Sequence, residues 1–234
     1  ENIRYPKGPY YGEVGDFSGA GAAEFSVKNS LAASQLALTG GEFDYRRVYA
    51  AHESELVSGQ LLLGVEAQTY DGPWTDINEA VEKTNVLVRY STAIAVGKFS
   101  LTLMGYDNQW NAADQIPMRA VEQQIIDRLG SLDKDVGGDS SRYSVSAQWQ
   151  SPEWKINAYL IDSQLNLFSN FTYFLDDPIN GDQFEQVDNR QVMGGELKRN
   201  LATTIAGKPV THTLGVQVRH DAIDEVGLYK TRAR

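Results

Sequence analysis

From about residue 36 onward the chain breaks into short runs in which apolar and polar side chains alternate, the period expected of strands with one apolar face. In 143–150, Tyr143, Val145, Ala147 and Trp149 point one way, and Ser144, Ser146, Gln148 and Gln150 the other, because successive Cβ atoms alternate across a strand. Trp154, Ile156, Ala158 and Leu160 likewise oppose Lys155, Asn157 and Tyr159. Leu214, Val216 and Val218 oppose Thr213, Gly215, Gln217 and Arg219, and Leu61, Leu63, Val65 and Ala67 continue the theme. The pattern predicts strands near 35–40, 44–53, 59–70, 86–96, 98–109, 141–150, 154–167, 190–201 and 211–221. Polar partners such as Glu66, Gln68, Arg89, Gln148 and Gln217 suit a wet barrel lumen, and a soluble sandwich produces the same alternation.

Connection length adds a second signal. Links at 71–85, 109–140 and 169–189 are long, 202–210 is moderate, and those around 96–98 and 151–153 are tight, so long links fall at one end of the strands. Bacterial outer-membrane barrels share this asymmetry of short periplasmic turns and long extracellular loops. Two long links predict local helix. Asp76 with Glu79 has the form of a capping box before Ala80, Val81 and Lys83, and Met118, Val121, Ile125, Ile126 and Leu129 have helical spacing.

Composition narrows the function classes. Twelve Tyr, four Trp and 21 Gly among 234 residues favour strands and tight turns over helical packing. Cysteine is absent, which excludes disulfides, thiolate metal sites and thiol nucleophiles. A net charge of -10 disfavours nucleic acid, whose phosphates require clustered Lys and Arg. No apolar run reaches the roughly 18–20 residues of a membrane helix, a criterion that a membrane barrel does not meet either.

The opening carries a family resemblance. Tyr5-Pro6-Lys7-Gly8-Pro9-Tyr10-Tyr11-Gly12-Glu13-Val14-Gly15-Asp16-Phe17, followed by Ser18-Gly19-Ala20-Gly21-Ala22-Ala23-Glu24-Phe25, resembles the segment that closes the plug of TonB-dependent outer-membrane receptors. Lys7, Gly8, Pro9 and Gly15 match that outline; Ala22 to Val27 stands for its next strand, and Leu36 to Val48, with Gly40-Gly41-Glu42-Phe43, for its first barrel hairpin. Glu13 to Phe17 replaces the shorter serine-rich spacer of many members. Tyr106-Asp107-Asn108-Gln109-Trp110-Asn111 and Phe171-Thr172-Tyr173-Phe174-Leu175-Asp176-Asp177-Pro178 also look like barrel stretches of one branch of the family.

The resemblance implies an all-β fold: residues 1–30 end a plug domain, and 31–234 form the N-terminal part of an antiparallel transmembrane β-barrel. That part is incomplete, about nine strands of a plugged 22-stranded barrel, and the chain is expected to be a piece of a longer protein at both ends. The implied location is the outer membrane of a Gram-negative bacterium, in contact with lipid and lipopolysaccharide. The implied activity is TonB-driven import of a scarce small-molecule ligand: a ferric siderophore or other iron chelate, haem, cobalamin or a saccharide. TonB itself would engage a missing N-terminal part. A passive porin-like or structural outer-membrane barrel, and a soluble all-β binding module such as a lectin-like sandwich, are the alternatives.

Under this reading Tyr143, Trp149 and Trp154 are membrane-interface aromatics, against packing in an ordinary soluble core. Trp74, Trp110, Tyr106 and Phe171 lie towards the long loops and are candidate ligand-binding residues, against packing of their own loops. No metal, cofactor or catalytic residue is assigned. His212 and His220 are roughly 27 Å apart along one strand at 3.4 Å per residue, and His52 stands alone. The acidic stretch Asp176 to Asp182 departs from a calcium loop at Pro178 and Val187. Gly19-Ala20-Gly21 lacks the third glycine of a dinucleotide fingerprint, with Glu24 in its place. No Gly-x-Ser-x-Gly elbow or close Ser-His arrangement is present, and no enzyme activity is expected.

Overall fold

The computed structural model describes residues 2–15 and 18–234. Asp16 and Phe17 of the spacer quoted above lie outside the described residues. Two short strands, β1 (Asn2–Arg4) and β2 (Glu24–Ser26), pair antiparallel, so the N-terminal segment folds back on itself. Between them a single bridge joins Lys7 to Gly21. Gly21 sits at φ +127°, and a Cβ there would stand 2.4 Å from the Pro6 carbonyl oxygen, so only glycine allows the two limbs to close.

The other nine strands are β3 (Gln35–Gly40), β4 (Arg46–Leu56), β5 (Gly59–Tyr70), β6 (Val81–Ile94), β7 (Gly97–Asn111), β8 (Gly137–Gln150), β9 (Trp154–Ser169), β10 (Phe184–Ile205) and β11 (Lys208–Lys230). They form one antiparallel sheet in chain order, with β3 and β11 at its edges. The sheet is not closed. A one-residue register shift between Asn189 and Arg190 interrupts the pairing of β10 with β11.

The ladder realises the alternation read from the sequence. Leu61, Leu63, Val65 and Ala67 lie on the face opposite to Glu66 and Gln68, and Val65 stands across from Val86, which stands across from Gly105. Strands β6, β8, β10 and β11 are longer than expected, and the connections correspondingly shorter. The link expected to be moderate at 202–210 is a tight turn at Ala206-Gly207, because β10 continues to Ile205 and β11 begins at Lys208. Turns at 57–58, 95–96, 151–153 and 206–207 form one end of the sheet. The connections 41–45, 71–80, 112–136 and 170–183 form the other.

The predicted helix after Asp76 does not form. Asp76 instead accepts a hydrogen bond from the Ser131 N–H at 3.1 Å and pairs with Lys134 at 3.3 Å, tying its loop to the next one. The second predicted helix is confined to α1 (Met118–Glu122). Ile125 and Leu129, beyond it, are exposed.

Candidate functional site

The two faces of the sheet differ in chemistry. One face is bare, and most of the large apolar side chains exposed on the strands lie on it, among them Leu38, Val65, Leu103, Leu160, Leu197 and Val216. The other face is polar and lies under the N-terminal segment. Gly15 lies over the Gln217 side chain, where a Cβ would meet Oε1 at 3.4 Å, Arg89 Nη1 points to the Val27 carbonyl at 3.5 Å, and the Leu31 N–H donates to the Glu53 carboxylate. Residues 12–15 and 18–31 therefore cross the polar face from β11 towards β4 as a strap.

Charged groups on the polar face pair across strands. Glu66 on β5 accepts from Arg47 Nε of β4 at 2.8 Å and from Asn85 Nδ2 of β6 at 3.1 Å, with Lys83 Nζ at 3.4 Å. Glu196 on β10 accepts from Asn157 Nδ2 at 2.8 Å and pairs with Lys155 Nζ at 2.9 Å, both on β9. The register sets Asn85 opposite Glu66 and Asn157 opposite Glu196, and brings Arg47, Lys83 and Lys155 to the diagonal positions on the same face. Arg47, Lys83, Asn157 and Glu196 were not singled out from sequence as a cluster; the signal was their shared phase in the alternation, and the register supplies their adjacency.

A cavity of about 780 Å³ opens between the strap and this face, lined by Lys28, Arg47, Tyr49, Glu66, Tyr106 and Arg142 among others. Of the four loop-side candidates, Tyr106 alone lines it. Trp74 lies in the 71–80 loop, where its indole N–H donates to Glu79. Trp110, at the loop end of β7, packs beside Gly138, and its carbonyl accepts from Arg234 at 3.1 Å. Phe171 is 54% exposed and packs edge-on against Phe184 at 5.4 Å. The four do not stack on one another among the described residues.

No family model, no curated protein and no solved structure matches this chain.

The bare face carries the aromatic candidates. Trp149 and Trp154 flank the tight turn 151–153; Trp149 Nε1 donates to the Ile94 carbonyl at 3.2 Å, and the Arg199 guanidinium lies 4.7 Å from the Trp154 ring centre. Tyr143 is not at a strand end. Because β8 begins at Gly137, Tyr143 lies midway along it, 51% exposed on the bare face, with its hydroxyl donating to Asp107 at 3.3 Å.

The loop end is held by a polar network. Asn170 N–H donates to Asp114 at 2.7 Å, its Nδ2 to Asp133 at 2.7 Å, and its Oδ1 accepts from the Tyr173 N–H at 2.8 Å. The Tyr173 hydroxyl donates to the Gln115 carbonyl. Burial pushes the Tyr173 phenol up to about 12, with the Asp114 and Asp133 charges adding to it. Burial also raises the Asp114 carboxyl, opposed by the Asn170 amide and reinforced by Asp133. In the acidic stretch weighed for calcium, Asp182 accepts from the N–H groups of Leu175, Asp176 and Asp177, and Asp177 from those of Ile179 and Asn180. Those carboxylates brace their own loop, and the amides hold both below the usual carboxylate range.

Proposed function

We propose that this chain supplies the end of the plug and the first strands of a TonB-dependent receptor, importing a scarce ligand across a bacterial outer membrane. One observation carries the reading: the apolar stretch on the bare face runs obliquely across the sheet. In β5 it comprises Leu61, Leu63, Val65 and Ala67; in β11 it comprises Leu214, Val216 and Val218. The row through Val216 passes Leu197, Ile156, Trp149 and Phe99, then Thr92 and Gly59, and ends on Leu56 beside the turn, whereas the row through Leu38 passes Val48, Ala67 and Thr84 and reaches Asp107.

Between β11 and β5 the centre of the stretch shifts by about five residues, or about 17 Å along the strands over about 29 Å across them, a slope of about 30°. Strands of a membrane barrel tilt by roughly 35–45° while their apolar belt stays level with the bilayer, so the belt must drift through the register in this way. A sheet buried in a soluble sandwich has no such level to keep. The strap across the polar face speaks for a plugged lumen over an open pore, and Trp149 and Trp154 stand at the lower edge of the stretch, where interfacial rings anchor.

The test is reconstitution of the full-length chain. Insertion into lipid vesicles, with a heat-modifiable band on gels and loops cut only from one side, supports the reading. A monodisperse product soluble without detergent would sink it. Within the inserted protein, Leu103→Arg on the bare face is expected to cost about 2–4 kcal/mol, as a charge at mid-bilayer does.

A further inference from the structure

The chain carries a net charge of -10, yet one recess of its polar face is cationic. A second cavity, of about 690 Å³, lies between residues 25–30 of the strap and the turn-end half of β6, β7 and β8. Lys28, Arg89 and Lys98 line it together with Ser100, Thr102 and Gln148, and no carboxylate does among the described residues. This contrasts with the rest of the face, where Arg47 and Lys83 meet Glu66 and Lys155 meets Glu196. Lys28 and Lys98 have no carboxylate partner among the described residues. The Arg89 guanidinium has only its 3.5 Å contact to Val27, and its Nε is buried without a partner.

An arginine in this state holds unused donors in a fork that matches two oxygens of one anion. Thr102 stands directly across from Arg89, and Ser146 across from Thr102, so hydroxyl donors border the guanidinium. Lys98 stands across from Gln150 at the turn end, and Lys28 comes from the strap above. A half-buried guanidinium whose Nε is shut from water without a partner is unfavourable, and an oxyanion in the cavity offsets that penalty.

We propose that this cavity binds the oxyanion group of a small solute, a carboxylate or a phosphoryl group, with Arg89 as the fork and Lys28 and Lys98 as flanking charges. Resting on the reading of this face as a transport lumen, the inference makes the cargo anionic. The larger cavity shares Val27, Lys28 and Met104 with this one and continues to Arg142, which has no carboxylate partner among the described residues, so the cationic lining extends towards the loop end.

The test uses the full-length chain in lipid bilayers, titrated calorimetrically with citrate, with inorganic phosphate and with neutral xylitol. Saturable binding of citrate or phosphate, and none of xylitol, is expected; which anion binds separates carboxylate from phosphoryl recognition. Arg89→Gln is expected to weaken it about tenfold or more and Lys98→Gln, at an exposed side chain that folding does not depend on, by about threefold or more. Arg219→Gln, whose guanidinium is held by Asp221, leaves it unchanged. Absence of saturable anion binding, or equal binding by the wild type and Lys98→Gln, overturns the proposal. Protease shielding in the same vesicles scores membrane insertion separately: inserted protein that binds no anion refutes the cavity alone, and anion binding by a protein that stays in water refutes the lumen alone.

Discussion

The two ends of the sheet are built by opposite means. At the turn end the strands reverse within two or three residues, and the side chains there are left to solvent: Val57 is 95% exposed and Val96 80%. At the loop end three long connections fold against one another around Ile77, Ala120, Val136 and Tyr173, all buried, with Asn170 and Gln183 buried among them. The backbone joins in, through Thr75 N–H to the Leu129 carbonyl at 3.0 Å and Asn111 N–H to the Glu79 carbonyl at 2.7 Å. One end is therefore shaped mainly by turn geometry, with single ties such as Trp149 Nε1 to the Ile94 carbonyl. The other has a small core of its own, in which polar groups supply much of the order, and a polar core is sensitive to single deletions because each lost partner strands another.

The largest effect is accordingly expected at the loop end. Asn170→Leu removes the donor to Asp133 and the acceptor of the Tyr173 N–H, and should cost about 3–5 kcal/mol of local stability. Trypsin cleavage at Arg119 and Arg128 reads the loosening directly, whereas Pro152→Ser in the tight turn should leave the same digest unchanged.

Next comes alkali. The Tyr173 phenol titrates at about 12 in the folded chain, above its ordinary value of 10. Because the folded form holds the proton more tightly, its contribution is complete below pH 10 and is lost as pH rises through 12, about 2–3 kcal/mol in all. Tyr173→Phe abolishes this pH step. Equal loss of protection in the mutant and the wild type between pH 10 and 12 would contradict the assignment.

At the turn end the expected changes are smaller and of the other sign. Val57 sits at φ +56°, where a β-branched side chain is strained, so Val57→Gly should stabilise the hairpin by about 1 kcal/mol in chemical denaturation. The smallest effect belongs to Asp76→Asn. The Ser131 amide and Lys134 hold this carboxyl below its usual range, so its contribution is present above that range and fades as pH falls through the lowered value. The mutant should show a flatter acid limb of loop protection.

Much of this architecture was legible in the chain, and the losses have a common cause. The nine strands of the sheet and their order follow from alternation, which is strong where one face is apolar, as in Tyr143 to Trp149. It fades where both faces are polar: Val81 to Asn85, Gly137 to Ser140 and Phe184 to Asn189 are strand in the structure, held by ladder pairing rather than by an alternation of apolar side chains. The tight turn at Ala206-Gly207 was obscured for the same reason, since Ala202 to Ile205 shows no clear phase. The capping-box pattern at Asp76 misled because a loop 55 residues later in sequence competes for its carboxylate. Of the candidate site, the lining side chains were visible as polar alternates, but the association of Arg89 with Lys28 depends on where the strap crosses, which no local pattern encodes.

The long outer strand β11 has a further consequence. Its 23 residues pair with β10 along one side only, whereas the opposite edge strand β3 is six residues long. Such an edge is a template for any extended chain: Pro209 and the charges of Arg219, Asp221, Asp224 and Glu225 blunt parts of it, whereas Leu214 to Val218 carries neither charge nor proline. Produced by itself at high concentration, this segment should associate from the β11 side, edge to edge with other copies, and aggregate more readily the more of β11 is present.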